Sequence, residues 1–214
     1  MPSSSTTRRA SDPPRAQADG TPLPSLRNGD RLGEAFFTSS PDFCAEALLG
    51  CRLVWWKCSG VIVETEAYSA VNDPACHTAR RPSARHFVET HPPGAAYVYF
   101  NYGMHWMLNV LVRGTEPGFV LIRAIEPTHG LDIMRAARSR HAEKDLCSGP
   151  GKLAQALGVD KSHHGLNLSL SPHAGILAPE ESPANRSRGP RIGISTGKDI
   201  PWRFWIRGNP HVSR

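Results

Sequence analysis

The chain has 214 residues and a formal net charge of +6, with 39% hydrophobic and 21% charged residues. That length suits one well-packed domain better than two full-sized ones, and no apolar run nears the ~20 residues that span a bilayer, so no membrane partner is expected. The five cysteines are odd in number and irregularly spaced, which argues against a disulfide framework and for a reducing compartment; the positive charge favours an anionic partner, of which nucleic acid is one.

Residues 1–29 are rich in Ser, Pro and Arg, with almost no large apolar side chain before Leu23 and no signal-peptide h-region. Such a segment cannot bury enough surface to offset its ordering entropy, so a flexible basic tail is expected. Arg8, Arg9 and Arg15 could hold phosphates loosely or simply be solvated. Residues 30–214 are assigned to one folded domain. A short helix is expected over Pro41 to Leu49, closed by Gly50. Arg52–Lys57 and Val61–Tyr68 predict a hairpin turning at Cys58-Ser59-Gly60. Tyr97–Asn101 and His105–Val112 predict a second hairpin, with Tyr102-Gly103 at its tip. Phe119–Ile125 is an apolar strand interrupted by Arg123. Helices are expected near Leu131–Arg140 and from Gly149-Pro150-Gly151 to Gly158, then short strands at Leu166–Leu170, Arg191–Ile194 and Phe204–Ile206. Mostly antiparallel strands with peripheral helices make this a single α+β domain.

The stretch VIVETEAY carries the most chemistry. A period of two puts Ile62, Glu64, Glu66 and Tyr68 on one face and Val61, Val63, Thr65 and Ala67 on a core-like other face. Two neighbouring carboxylates there fit either a solvated strand face or a site in which one of them works. Cys76-His77 with His86 and His91 matches no paired zinc-ligand spacing, so no metal is expected. Ser148-Gly149-Pro150-Gly151-Lys152 has Leu153 where a phosphate loop needs Ser or Thr. What remains is a glycine-rich turn opening a helix, with Lys152 available to an anion.

A carboxylate beside aromatics (Tyr68, Tyr99, His77), on a basic chain with Tyr102 at a hairpin tip, fits the handling of a nucleobase drawn out of a duplex. Tyr102 would then be the wedge that fills the vacated stack. At this point VETEAY, His77, YVYFNYGMHWMLN, VLIRAIEP, LCSGPGKL and PWRFWIRGNPHVS together resemble the alkyladenine-type 3-methyladenine DNA glycosylases, over roughly Arg31 to Ser213. The resemblance implies a curved antiparallel sheet with a protruding hairpin that wedges DNA, and no metal or organic cofactor. It implies a monomer that acts on double-stranded DNA containing damaged purines. It also implies a soluble location with the DNA: cytoplasmic and nucleoid-associated in a bacterium, nuclear in a eukaryote.

Residue by residue, the resemblance implies Glu66 as general base and Arg123 beside the flipped nucleotide's phosphate and the attacking water. Tyr68, His77, Tyr99 and Asn109 would form the base pocket. Tyr102 would intercalate, and Met104 and Leu121 would line the DNA surface; Glu64 carries over only as a structural neighbour. Water attack on a purine made a better leaving group by alkylation would leave an abasic site without strand cleavage. A catalytically inactive nucleic-acid-binding module of the same fold is the rival reading. The loop Thr78 to His86 departs from the family's pattern, which leaves lesion preference open.

Overall fold

The computed structural model describes residues 30–101 and 103–213, so the tail expected at 1–29 and the tip residue Tyr102 lie outside the described residues. Among the described residues eight strands follow in chain order: β1 (Arg52–Trp55), β2 (Cys58–Ser69), β3 (Ala96–Asn101), β4 (His105–Arg113), β5 (Pro117–His129), β6 (Ala174–Leu177), β7 (Arg186–Gly189) and β8 (Arg203–Ile206). They form one antiparallel sheet in the order β3-β4-β5-β2-β1-β6, and β8 joins the free edge of β2 and carries β7 outside it. Among the described residues five α-helices surround it: α1 (Pro41–Ala47), α2 (His77–Arg80), α3 (Pro82–Thr90), α4 (Leu131–Arg138) and α5 (Pro150–Ala156). This is the single-domain α+β architecture expected from the sequence. Register shifts in β2 between Ile62 and Thr65 bend the strand and curl the sheet.

The β2–β5 ladder is the centre of the molecule, and its side chains explain why. Ile62, Ala67, Val120, Ile122 and Ile125 are fully buried, together with Leu48 of the segment after α1, Met134 of α4 and Leu153 of α5. Each large apolar side chain removed from water contributes about 1.5–3 kcal/mol. Thr65 ties α1 to the ladder by donating its hydroxyl to Ala45 O at 2.6 Å. A smaller cluster of Phe87, Tyr97, Leu111 and Phe119 lies under α3, with Tyr68 and Tyr99 packed against it. That second cluster is the floor on which the site is built.

Several expectations need correction. The first hairpin turns at Trp56-Lys57, and Cys58-Ser59-Gly60 already belongs to β2. Gly60 is needed for a close approach and not for a turn: a Cβ there would meet Glu126 O of the neighbouring strand at 2.6 Å. The bulge also breaks the strict alternation. Ile62 joins the same core as Ala67 and does not share the face of Glu64 and Glu66. Leu166–Leu170 is a turn, whose Ser169 N–H is taken by the Asn167 side chain at 2.9 Å. Arg191–Ile194 is a loop, because Ile192 N–H donates to a carboxylate and not to a strand neighbour. β6, β7, α2 and α3 were not expected from the sequence. Lys152 is half-buried at the start of α5, where its ammonium donates one hydrogen bond to Ser148 Oγ at 3.2 Å.

Candidate active site

Glu64 and Glu66 are both completely buried, which rules out the solvated strand face. Burying two carboxylates is costly unless each is paired, and here the pairing is divided between them. Arg123 of β5, itself 6% exposed, reaches Glu64 Oε1 with Nε at 2.9 Å and Glu66 Oε2 with Nη1 at 3.1 Å. Glu64 also accepts from Arg203 Nε at 2.7 Å, Ser213 N at 2.7 Å and Ser213 Oγ at 2.9 Å. Glu64 therefore anchors the end of the chain to the central strand.

Glu66 has a different set of partners. It accepts from Ile192 N at 2.7 Å on Oε1 and from the Tyr68 hydroxyl at 2.8 Å on Oε2. Tyr68, Arg123 and Ile192 all line one cavity of about 690 Å³, so Glu66 stands directly behind that wall. Burial outweighs Arg123, the Ile192 N–H and Tyr68, and with the neighbouring Glu64 charge it holds the Glu66 carboxyl above the ordinary carboxylate range. For Glu64 burial is outweighed by Arg123, the Ser213 N–H and Arg203, and its carboxyl is held below that range. Two carboxylates of one strand are thus driven apart, one fixed as an anion and the other more basic.

The cavity walls are aromatic. Tyr68 faces in from β2, Tyr99 from β3, and His77 from the first turn of α2. The His77 and Tyr99 rings meet at 4.2 Å with an interplanar angle of 62°. His77 Nδ1 shares a 3.1 Å hydrogen bond with the Tyr97 hydroxyl, and burial followed by the Arg81 charge lowers its pKa to about 4. The imidazole is therefore neutral at pH 7. Asn109 lies in the wall with its amide donating to Tyr97 O at 3.1 Å. A cavity of this size with aromatic walls and a few fixed polar groups accepts a flat heterocycle.

The structure brings Tyr68, His77, Tyr99, Asn109 and Arg123 around this cavity, with Glu66 immediately behind it. Leu121, expected to line the DNA surface, is 4% exposed and lines the cavity. Met104 is 67% exposed beside the hairpin tip. Among the described residues no group of three or more His, Cys, Asp or Glu side chains could hold a metal, and all five cysteines are free, buried thiols.

Three contributors escaped the sequence reading. The Ile192 N–H is a backbone group and has no signature in residue type. Arg191 pairs with Asp73 at 2.5 and 2.8 Å and sits 4.7 Å from the Tyr68 ring centroid, so it backs the stacking wall. Arg81 lies 5.8 Å from the Tyr99 ring centroid on the same cavity; the pair Arg80-Arg81 just after His77 was its only signal.

Against known proteins, residues 35–210 match the family model described as methylpurine-DNA glycosylase. A Rhodopseudomonas palustris (strain BisB18) protein, provisionally named 3-methyladenine DNA glycosylase, is 47% identical over 88% of this chain and 94% of its own length. Relatives under the same provisional name come from Nitrosospira multiformis, 45% identical over 83% of this chain and 91% of that protein. Another, from Chlorobium luteolum, is 42% identical over 86% of this chain and 97% of its own length.

Proposed function

The chain belongs to the methylpurine-DNA glycosylase family, and from that premise we propose that it hydrolyses the N-glycosidic bond of damaged purines extruded from duplex DNA. The purine is drawn into the cavity and stacked between Tyr68 on one side and His77 with Tyr99 on the other. The observation that carries this reading is the buried Glu66, more basic than an ordinary carboxylate and bonded to three groups of the cavity wall.

In the reaction, Glu66 accepts a proton from a water as the water oxygen bonds to the anomeric carbon. The glycosidic C–N bond breaks at the same centre, and its electron pair leaves with the purine. The carboxylate also offsets the positive charge that develops on the sugar. Such general-base help is typically worth ~10²–10⁴-fold in rate. Arg123 and the Ile192 N–H keep the carboxyl group oriented, and the Tyr68 hydroxyl bond fixes the stacking ring to the base that acts beside it. Water supplies the nucleophile, so no amine adduct is needed and the strand is left intact at the abasic site.

We assign the substrates to the purine lesions 3-methyladenine, 7-methylguanine, hypoxanthine and ethenoadenine. Tyr102, between β3 and β4, is assigned as the wedge that holds the nucleotide out. The protein acts as a monomer on double-stranded DNA, with the nucleoid as its place of work. Incubating the full chain with duplexes carrying each lesion tests the reading. Free base should be released, and the strand should break only after alkali. Intact bases with tight binding would support the inactive binding module in its place.

A further inference from the structure

The ring faces of Tyr68, Tyr99 and neutral His77 are rich in electron density and would attract a cationic purine. Both tyrosines, however, already have an arginine close to their rings, at 4.7 Å for Arg191 on Tyr68 and 5.8 Å for Arg81 on Tyr99. The two arginines differ in what balances them. Arg191 is buried and held in a two-bond pair with Asp73. Arg81 is exposed at the cavity lip and forms no ion pair among the described residues. Its backbone is fixed by the chain: its N–H closes α2 on His77 O at 2.8 Å, and Pro82 starts α3 immediately after it. Arg80 and Lys198 also line the cavity, but of these three exposed cations Arg81 is the one set over a stacking ring.

We propose that Arg81 is a specificity-determining residue of this pocket, biasing it towards neutral damaged purines such as hypoxanthine and against purines made cationic by N-alkylation. The inference rests on the glycosylase reading above. A cationic base stacked on Tyr99 shares that ring with the Arg81 guanidinium and is repelled by it, whereas a neutral base carries no net charge to be repelled. After burial, the Arg81 charge also lowers the His77 pKa, consistent with its position on the same cavity. Because Arg81 is exposed, salt screens part of the effect.

The test is single-turnover excision, enzyme in excess, on matched duplexes carrying 7-methylguanine or hypoxanthine, at low and high salt. Arg81→Gln should raise the ratio of 7-methylguanine to hypoxanthine rates by about three- to tenfold at low salt and by less at high salt. Arg81→Lys keeps the charge and should keep the wild-type ratio. An unchanged ratio in Arg81→Gln, or an equal loss on both substrates as from a lost phosphate contact, overturns the assignment and leaves the glycosylase reading standing. Release of neither base by the wild-type protein overturns that reading, and the specificity role with it.

Discussion

Glu64 and Glu66 are two residues apart on one strand, share Arg123, and are expected to respond to mutation in opposite ways. Glu64 holds Arg203 and both polar groups of Ser213, so Glu64→Gln leaves a buried cation short of its anion and should cost about 3–5 kcal/mol of stability. Its excision rate at a temperature well below melting should stay within an order of magnitude of wild type. Glu66→Gln should lose excision and keep its fold. The pH dependence follows from the shifts. Glu64 lies below its usual 4.5 when folded. Its stability contribution is present above that value and is lost as pH falls through the folded pKa. Glu66 lies above 4.5, so its contribution is present below that value and is lost as pH rises through the folded pKa. Arg123 keeps its pair with Glu64 when Glu66 is replaced, so Glu66→Gln should lower the melting temperature less than Glu64→Gln in calorimetry. Excision should fall on acidification along a one-proton limb centred above pH 4.5. A limb near pH 4 would implicate His77 instead.

Among the elements, the β3–β4 hairpin gives the sharpest prediction. It was legible in the sequence because two apolar and aromatic runs flank Tyr102-Gly103, and Gly103 does take a left-handed φ of 66°. Tyr102→Ala should leave the melting temperature unchanged. It should lower excision strongly for a lesion in a stable pair and less for one facing a mismatch, since the wedge opposes stacking worth roughly 1–3 kcal/mol. Equal rates on both substrates, or a large drop in melting temperature, would remove the wedge. Other elements were not legible. β7 reads Arg-Ser-Arg-Gly, with no strand propensity of its own, and exists because β8 offers it a ladder. The loop at Arg191–Ile194 looks like a strand by composition, but Glu66 captures its N–H. In both places a tertiary partner overrides the local preference.

For the molecule as a whole, the sequence disclosed the aromatic and acidic residues of the site but not their depth. Nothing in a period of two says that both carboxylates are dry, because that depends on β8 and the end of the chain folding over β2. The net charge of +6 and the arginines within residues 1–29 are expected to add to DNA affinity and not to the chemistry. Deleting residues 1–29 should leave single-turnover excision nearly unchanged and weaken non-specific DNA binding, more at low salt than at high. A folded but inactive truncation would place the tail in the site.

The claim that binds these scales together is that Glu66 activates water behind a purine-sized aromatic cavity. Its most direct test compares wild type with Glu66→Gln on one hypoxanthine duplex, measuring base release and DNA binding side by side. The wild type should release free hypoxanthine, and Glu66→Gln should release it about 10²–10⁴-fold more slowly with lesion binding retained. Comparable release by the two proteins would contradict that claim.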